Sequence, residues 1–148
     1  MKYSKLLGVL VALVQLATAL GLVLGMHTML GVFATALPTD AEVEVVLEDP
    51  IRIPLQLNPV NNGYLEASLE VRLALEVDGE ELAFDEAQVS LPPGGSQPVE
   101  LVLLVPLEEG AALMEEGAQV DWVTDIKVTT LFNLISFANH IEMEGMQQ

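Results

Sequence analysis

The chain contains no cysteine, which removes disulfides and thiolate metal sites from consideration. Histidine is nearly absent as well, with His27 and His140 the only two. Against 22 acidic residues there are 5 basic ones, a net charge of −17, so nothing is available to neutralise a phosphate backbone and a nucleic-acid partner is not expected. The one Gly-Gly pair, Gly94-Gly95, stands between Pro93 and Ser96 with no helix start behind it, so there is no phosphate-cradling loop. Gly94-Gly95-Ser96 also lacks the nucleophile-elbow pattern, and none of the five serines has a histidine and an acid in a recognisable catalytic arrangement. Carboxylates are plentiful, but no spacing selects a glycosidase pair. These gaps argue against an enzyme and imply no cofactor and no metal. His140, beside Asn139, reads as a surface histidine.

What is present is distributed unevenly. Leu6 to Leu37 is a run of 32 residues without a charge, whereas residues 40–148 hold all 22 acids and only Arg52, Arg72 and Lys127, a net of −19. A secretory apolar region is usually about 7–15 residues, and a membrane-spanning helix needs about 20. The run divides into a span over Leu6–Gly25 and an amphipathic or loosely ordered stretch from Met26 to Leu37, closed by Pro38-Thr39-Asp40. Residues 1–39 are therefore read as a membrane anchor with its linker, and residues 40–148 as an acidic domain. Lys2 and Lys5 precede the span and no base follows until Arg52, so the expected topology is single-pass, with a cytoplasmic N-terminus and the domain outside the cell membrane. Ala17-Thr18-Ala19 and Ala34-Thr35-Ala36 fit a signal-cleavage pattern, the competing reading. Gly21 and Gly25 have the small-xxx-small spacing that allows close helix packing, including self-association. His27 is expected at the membrane interface.

The acidic domain reads as all-β. Leu65, Ala67, Leu69, Val71, Leu73, Leu75 and Val77 alternate with Glu66, Ser68, Glu70, Arg72, Ala74 and Glu76, the pattern of a strand with one buried and one wet face. Asp78-Gly79 is a tight hairpin signal, with the return expected through Glu81–Phe84. Val43–Leu47 and Ile51–Leu57 alternate too, and Pro54 places the second of these at an edge or a bulge. Asn58–Gly63 and Pro92–Ser96 are turn clusters. Val99–Val105 is nearly all apolar, as in a strand covered on both faces. Pro106 opens a helix over about 107–116, with Gly117 at its end. Strands resume at about Val120–Thr130 and Phe137–Met143. The sum is mainly β: an antiparallel β-sandwich of about seven strands with one short helix, behind an N-terminal transmembrane helix.

The order of these features resembles the late-embryogenesis-abundant type 2 family, the water-stress and hypersensitive-response domain, over about residues 41–145. The resemblance rests on the anchor, the strand ending in Asn58-Pro59, the hairpin Val77-Asp78-Gly79-Glu80-Glu81-Leu82-Ala83, the Pro92-Pro93-Gly94-Gly95-Ser96 loop, Val99–Val105 with Pro106, the helix ending at Gly117 and the last strand pair. It implies a small β-sandwich without enzymatic activity, acting in dehydration or stress tolerance, with no catalytic residues to carry across. Membrane-anchored members are linked to stress and defence at cell surfaces, and some relatives are thought to hold lipid in an apolar groove. The charge departs from the family pattern; −19 on one domain points to a saline setting.

Three functions follow as expectations. The first is a membrane-anchored, extracytoplasmic stress-type interaction domain, its partners the bilayer through residues 6–25 and neighbouring surface proteins. The second is a carrier of lipid or another apolar ligand, with Leu101, Leu103, Val105, Leu113 and Met114 lining a groove. The third is a filament subunit assembled through the N-terminal helix. Asp78, Glu80, Glu81, Asp85 and Glu86 lack the ligand alternation of a calcium loop and read as a solvated hairpin end. Trp122, Phe132 and Phe137 read as core aromatics.

Overall fold

The computed structural model describes residues 2–37, 45–111 and 118–144. The elements in chain order are α1 (Lys2–Ala36), β1 (Ile51–Leu57), β2 (Ala67–Val77), β3 (Glu80–Leu91), β4 (Val99–Val105), α2 (Leu107–Gly110), β5 (Val120–Thr130) and β6 (Ile135–Glu144). All strand pairings are antiparallel, in a two-stranded sheet β1–β4 and a four-stranded sheet β3–β2–β5–β6. The architecture is the expected antiparallel sandwich behind a long apolar helix.

Period-two patterning sets the core. Leu69, Val71, Leu73 and Leu75 of β2 are buried and face Ile51, Ile53, Leu101, Leu103 and Val105 from the smaller sheet. Burying each such side chain contributes about 1.5–3 kcal/mol. Asp78 and Gly79, both at positive φ (52° and 82°), close the β2–β3 hairpin in the twist that flanking strands favour. Pro54 lies in β1, whose one strand partner among the described residues is β4; apart from an isolated bridge at Arg52 the other side carries no ladder, so a missing N–H breaks none there.

Several expectations change. Six strands form among the described residues, since Val46 makes only an isolated bridge to Arg52 and residues 38–44 lie outside that set. The return strand β3 runs on to Leu91 instead of ending at Phe84, because Val89 and Leu91 carry the buried alternation through the polar residues between them. β4 is covered on one face only: Leu104 is 52% exposed, because no element among the described residues packs on the outer side of the two-stranded sheet. Ala74 is buried on the face read as wet, between its register partners Phe84 and Val123. The described part of the second helix is one turn, and 112–117 lie outside the described residues. Trp122 packs against the core and Phe137 meets Phe33 edge-on at 5.1 Å, but Phe132 is fully exposed. The reason is local. Phe132 sits in the turn Leu131–Asn133, whose three residues all have positive φ, and that backbone turns the ring away from the sandwich.

α1 is one helix with two environments. Leu6 to Leu20 is exposed on every side. From Gly25 onward one face is buried, at Gly25, Thr28, Met29, Val32 and Ala36, the three- and four-residue spacing of a docked helix. Met29, Val32 and Ala36 belong to the same apolar cluster as the sheets. The change in composition at 39/40 and the change in packing near Gly25 therefore fall at different places.

Candidate functional site

Two surfaces stand out. The first is the outer face of the four-stranded sheet, where a shallow trough of about 640 Å3 crosses all four strands. Register aligns Glu86, Arg72, Asp125 and His140 in one row, and Gln88, Glu70, Lys127 and Ala138 in the next. Charges therefore alternate across the strands. Arg72 pairs with Glu81 at 2.7 Å and covers the Phe84 ring at 4.7 Å, while Lys127 reaches Glu70 at 3.5 Å. Two of the domain's three bases thus lie on this face. Each pair is half exposed and stabilises by no more than about 1 kcal/mol.

His140 is held between two carboxylates, with Nδ1 at 2.5 Å from Asp125 Oδ1 and Nε2 at 3.0 Å from Glu142 Oε1. In the imidazolium form both ring N–H groups donate. The hydrogen bond to Asp125, then that to Glu142, raises its pKa above the ordinary histidine value. The surface reading of His140 holds, but it belongs to a hydrogen-bonded triad with Asp125 and Glu142 that sequence did not show. Outward parity was legible for Arg72; the row it joins depends on register, which is not.

The second surface is the end of the sandwich that receives α1. Asn61 is fully buried there; its side chain donates to the carbonyls of Leu65 (2.8 Å) and Leu91 (2.9 Å) and accepts from the Gly63 N–H (2.9 Å). This ties the Asn58–Leu65 loop to the sheet. The loop in turn holds the helix: the Val60 N–H donates to Thr35 Oγ1 at 2.9 Å, and a Cβ at Gly63 would sit 2.6 Å from Thr28 Cα. His27 stacks on Tyr64 with centroids 6.0 Å apart. Gly25 lies close against the sheet end of its own chain, with Gly21 in ordinary contact one turn before it. A Cβ at Gly25 would meet Ile135 Cδ1 at 3.0 Å and Leu131 Cδ1 at 3.5 Å, and one at Gly21 would meet Leu131 Cδ1 at 3.9 Å.

The expected apolar groove is not formed by its first three residues. Leu101, Leu103 and Val105 are fully buried and fill the space between the sheets. Alternation in β4 turns all three inward onto β2, where tight packing leaves them no opening to line. Leu113 and Met114 lie outside the described residues. The hairpin acids disperse: Glu81 turns to Arg72, Asp78 Oδ1 accepts from the Gln119 N–H, and Asp85 Oδ2 accepts from the Val102 N–H at the edge of β4. Among the described residues no group of three or more His, Asp and Glu side chains is arranged to hold a metal ion.

Fold and site define a helix-bearing antiparallel β-sandwich with a charge-laddered sheet face. No family model and no curated protein matches the chain. It is similar in structure to a protein from Archaeoglobus fulgidus, at 15% identity and TM-score 0.48, over 72% of this chain and 90% of that one. It is similar as well to an Arabidopsis thaliana protein known in solution, at 15% identity and TM-score 0.44, over 71% and 76% of the two chains. A Bacteroides uniformis β-glucuronidase is matched at 12% identity and TM-score 0.44, over 69% of this chain but only 12% of that enzyme.

Proposed function

We propose that this chain is a single-pass membrane protein that holds an acidic β-sandwich against the outer membrane surface, where it acts as a non-enzymatic interaction and hydration domain of the late-embryogenesis-abundant type 2 kind. The observation that supports this reading most is the division of α1. Its first part, Leu6 to about Leu24, is apolar and largely uncovered, and at 1.5 Å per residue it has the length of the ~30 Å hydrocarbon core. Its second part is built into the sandwich, so the tether leaves no slack between bilayer and domain. Retention of the helix is favoured over cleavage after Ala36, because that cut removes Met29, Val32 and Ala36 from the core. The acid surplus outside the membrane keeps a dense hydration shell and counter-ion layer at that surface.

The carrier reading loses support from the burial of Leu101, Leu103 and Val105. Assembly through the Gly21/Gly25 face loses support as well, since Leu131 and Ile135 already occupy it. The test is membrane fractionation with and without detergent, combined with protease added to intact cells and survival of a deletion strain through drying. Membrane retention, removal of the domain from outside and reduced survival are expected. A detergent-independent soluble protein, or a domain protected until lysis, overturns the anchored topology; unchanged survival overturns the stress role.

A further inference from the structure

We infer that the β5–β6 turn, Leu131-Phe132-Asn133-Leu134, is a second membrane contact that enters the same bilayer leaflet beside α1. This rests on the anchor reading above and adds a protein element to it. The depth follows from the helix. If the span begins at Leu6, after the lysines, twenty residues end it at Gly25. Gly21 then lies one helical turn, about 6 Å, inside that boundary. Leu131 packs against the helix at both Gly21 and Gly25, so the turn starts at membrane depth. Even the shortest workable span, about 17 residues, ends at Leu22, still level with Leu131.

The turn is chemically suited to that position. Phe132 is 100% exposed and Leu134 83% exposed among the described residues. No charged residue occurs from Val128 to Asn139 in a domain that is otherwise densely acidic. One backbone hydrogen bond closes the turn, the Leu134 N–H donating to the Leu131 carbonyl at 3.1 Å, and the Thr129 hydroxyl donates to Asn133 Oδ1 at 3.0 Å. Leu131 and Phe132 adopt positive φ (53° and 55°), a conformation that glycine or asparagine takes at less cost. Bulky apolar residues at such positions set Leu131 against the helix and Phe132 outward, where a polar turn is the easier solution. Tyr64, 70% exposed and stacked on His27, lies at the level where tyrosine favours the headgroup region. Two contacts, helix and turn, fix the tilt of the sandwich over the membrane as one contact does not.

The absence of cysteine makes the test direct. Single variants F132C, V11C and E100C of the full chain are labelled with an environment-sensitive nitrobenzoxadiazole. Each is reconstituted in vesicles of phosphatidylcholine and phosphatidylglycerol carrying nitroxide lipids. Phe132 is fully exposed among the described residues, so its replacement leaves the sandwich intact. The expected result is a blue-shifted emission at position 132 that is quenched by nitroxides near the headgroups. Position 11 is quenched by mid-chain nitroxides, and position 100 by neither. Quenching at 11 without quenching at 132 overturns the turn contact and leaves the anchor standing. No quenching at 11 overturns the anchor and the turn contact with it. Equal quenching at 132 and 100 overturns the specific role of the turn.

Discussion

The two parts of α1 are alike in composition and opposite in surroundings. Leu6–Leu24 and Gly25–Ala36 are both uncharged and apolar, yet the first is exposed throughout as far as Leu20 and the second carries one face into the core. Mean apolarity does not separate them. The difference lies in where small residues fall: Gly25, Thr28 and Ala36 sit on one face and let the sheet end and the Gly63 loop approach the helix backbone. A helix that meets lipid needs only apolar bulk; one that meets a folded surface needs a matching shape.

Truncation separates the two parts most sharply. Removing residues 1–20 should leave the thermal midpoint of the sandwich where it is in the full chain in uncharged detergent. Removing 1–36 should lower stability by about 3–6 kcal/mol from the lost burial of Met29 and Val32 alone, measured by urea unfolding. Equal midpoints for the two truncations would break the distinction.

The next contrast is within the sheet. Leu73→Ala, in the fully covered row of β2, should cost about 2–5 kcal/mol. Glu70→Gln, on the trough face, loses one exposed pair at 3.5 Å from Lys127 and should cost under about 1 kcal/mol. A chemical-denaturation series on both variants decides whether the two faces differ as their register implies.

A smaller effect tests the helix seat. Gly63→Ala pushes a methyl into Thr28, against its hydroxyl first and then its Cα at 2.6 Å, and because a backbone atom is part of the collision the helix must shift; a loss of about 1–3 kcal/mol is expected. Gly79→Ala, which meets no neighbour, is the comparison for conformational cost alone. The larger loss at 63 identifies steric seating of α1.

The smallest effect is the titration of His140. Its folded pKa is raised, so the stability that protonation contributes is complete below about pH 6.5, the unfolded value, and is lost as pH rises through the higher folded one. Nuclear magnetic resonance titration should place the midpoint above that of a free histidine. Asp125→Asn should move it down more than Glu142→Gln, because Asp125 makes the stronger contribution.

Much of this was determined by sequence alone. The alternation from Ala67 to Val77, the Asp78-Gly79 turn and the restriction of Pro54 to an edge or a bulge are local physics, carried by side-chain period and backbone preference. The uncharged run and its two lysines likewise mark a segment long enough to span a bilayer. Tertiary structure decided the rest. Which acids meet Arg72, Lys127 and His140 depends on strand register, a relation between segments far apart in the chain. Leu101, Leu103 and Val105 became core instead of a groove wall because the opposite sheet fills the space in front of them. Phe132 became exposed through a left-handed turn that its residue types disfavour. Where Met29, Val32 and Ala36 end up depends on a loop that folds onto the helix from Asn58 to Leu65. No local rule carries that information, because burial is a property of two surfaces and a sequence window describes one.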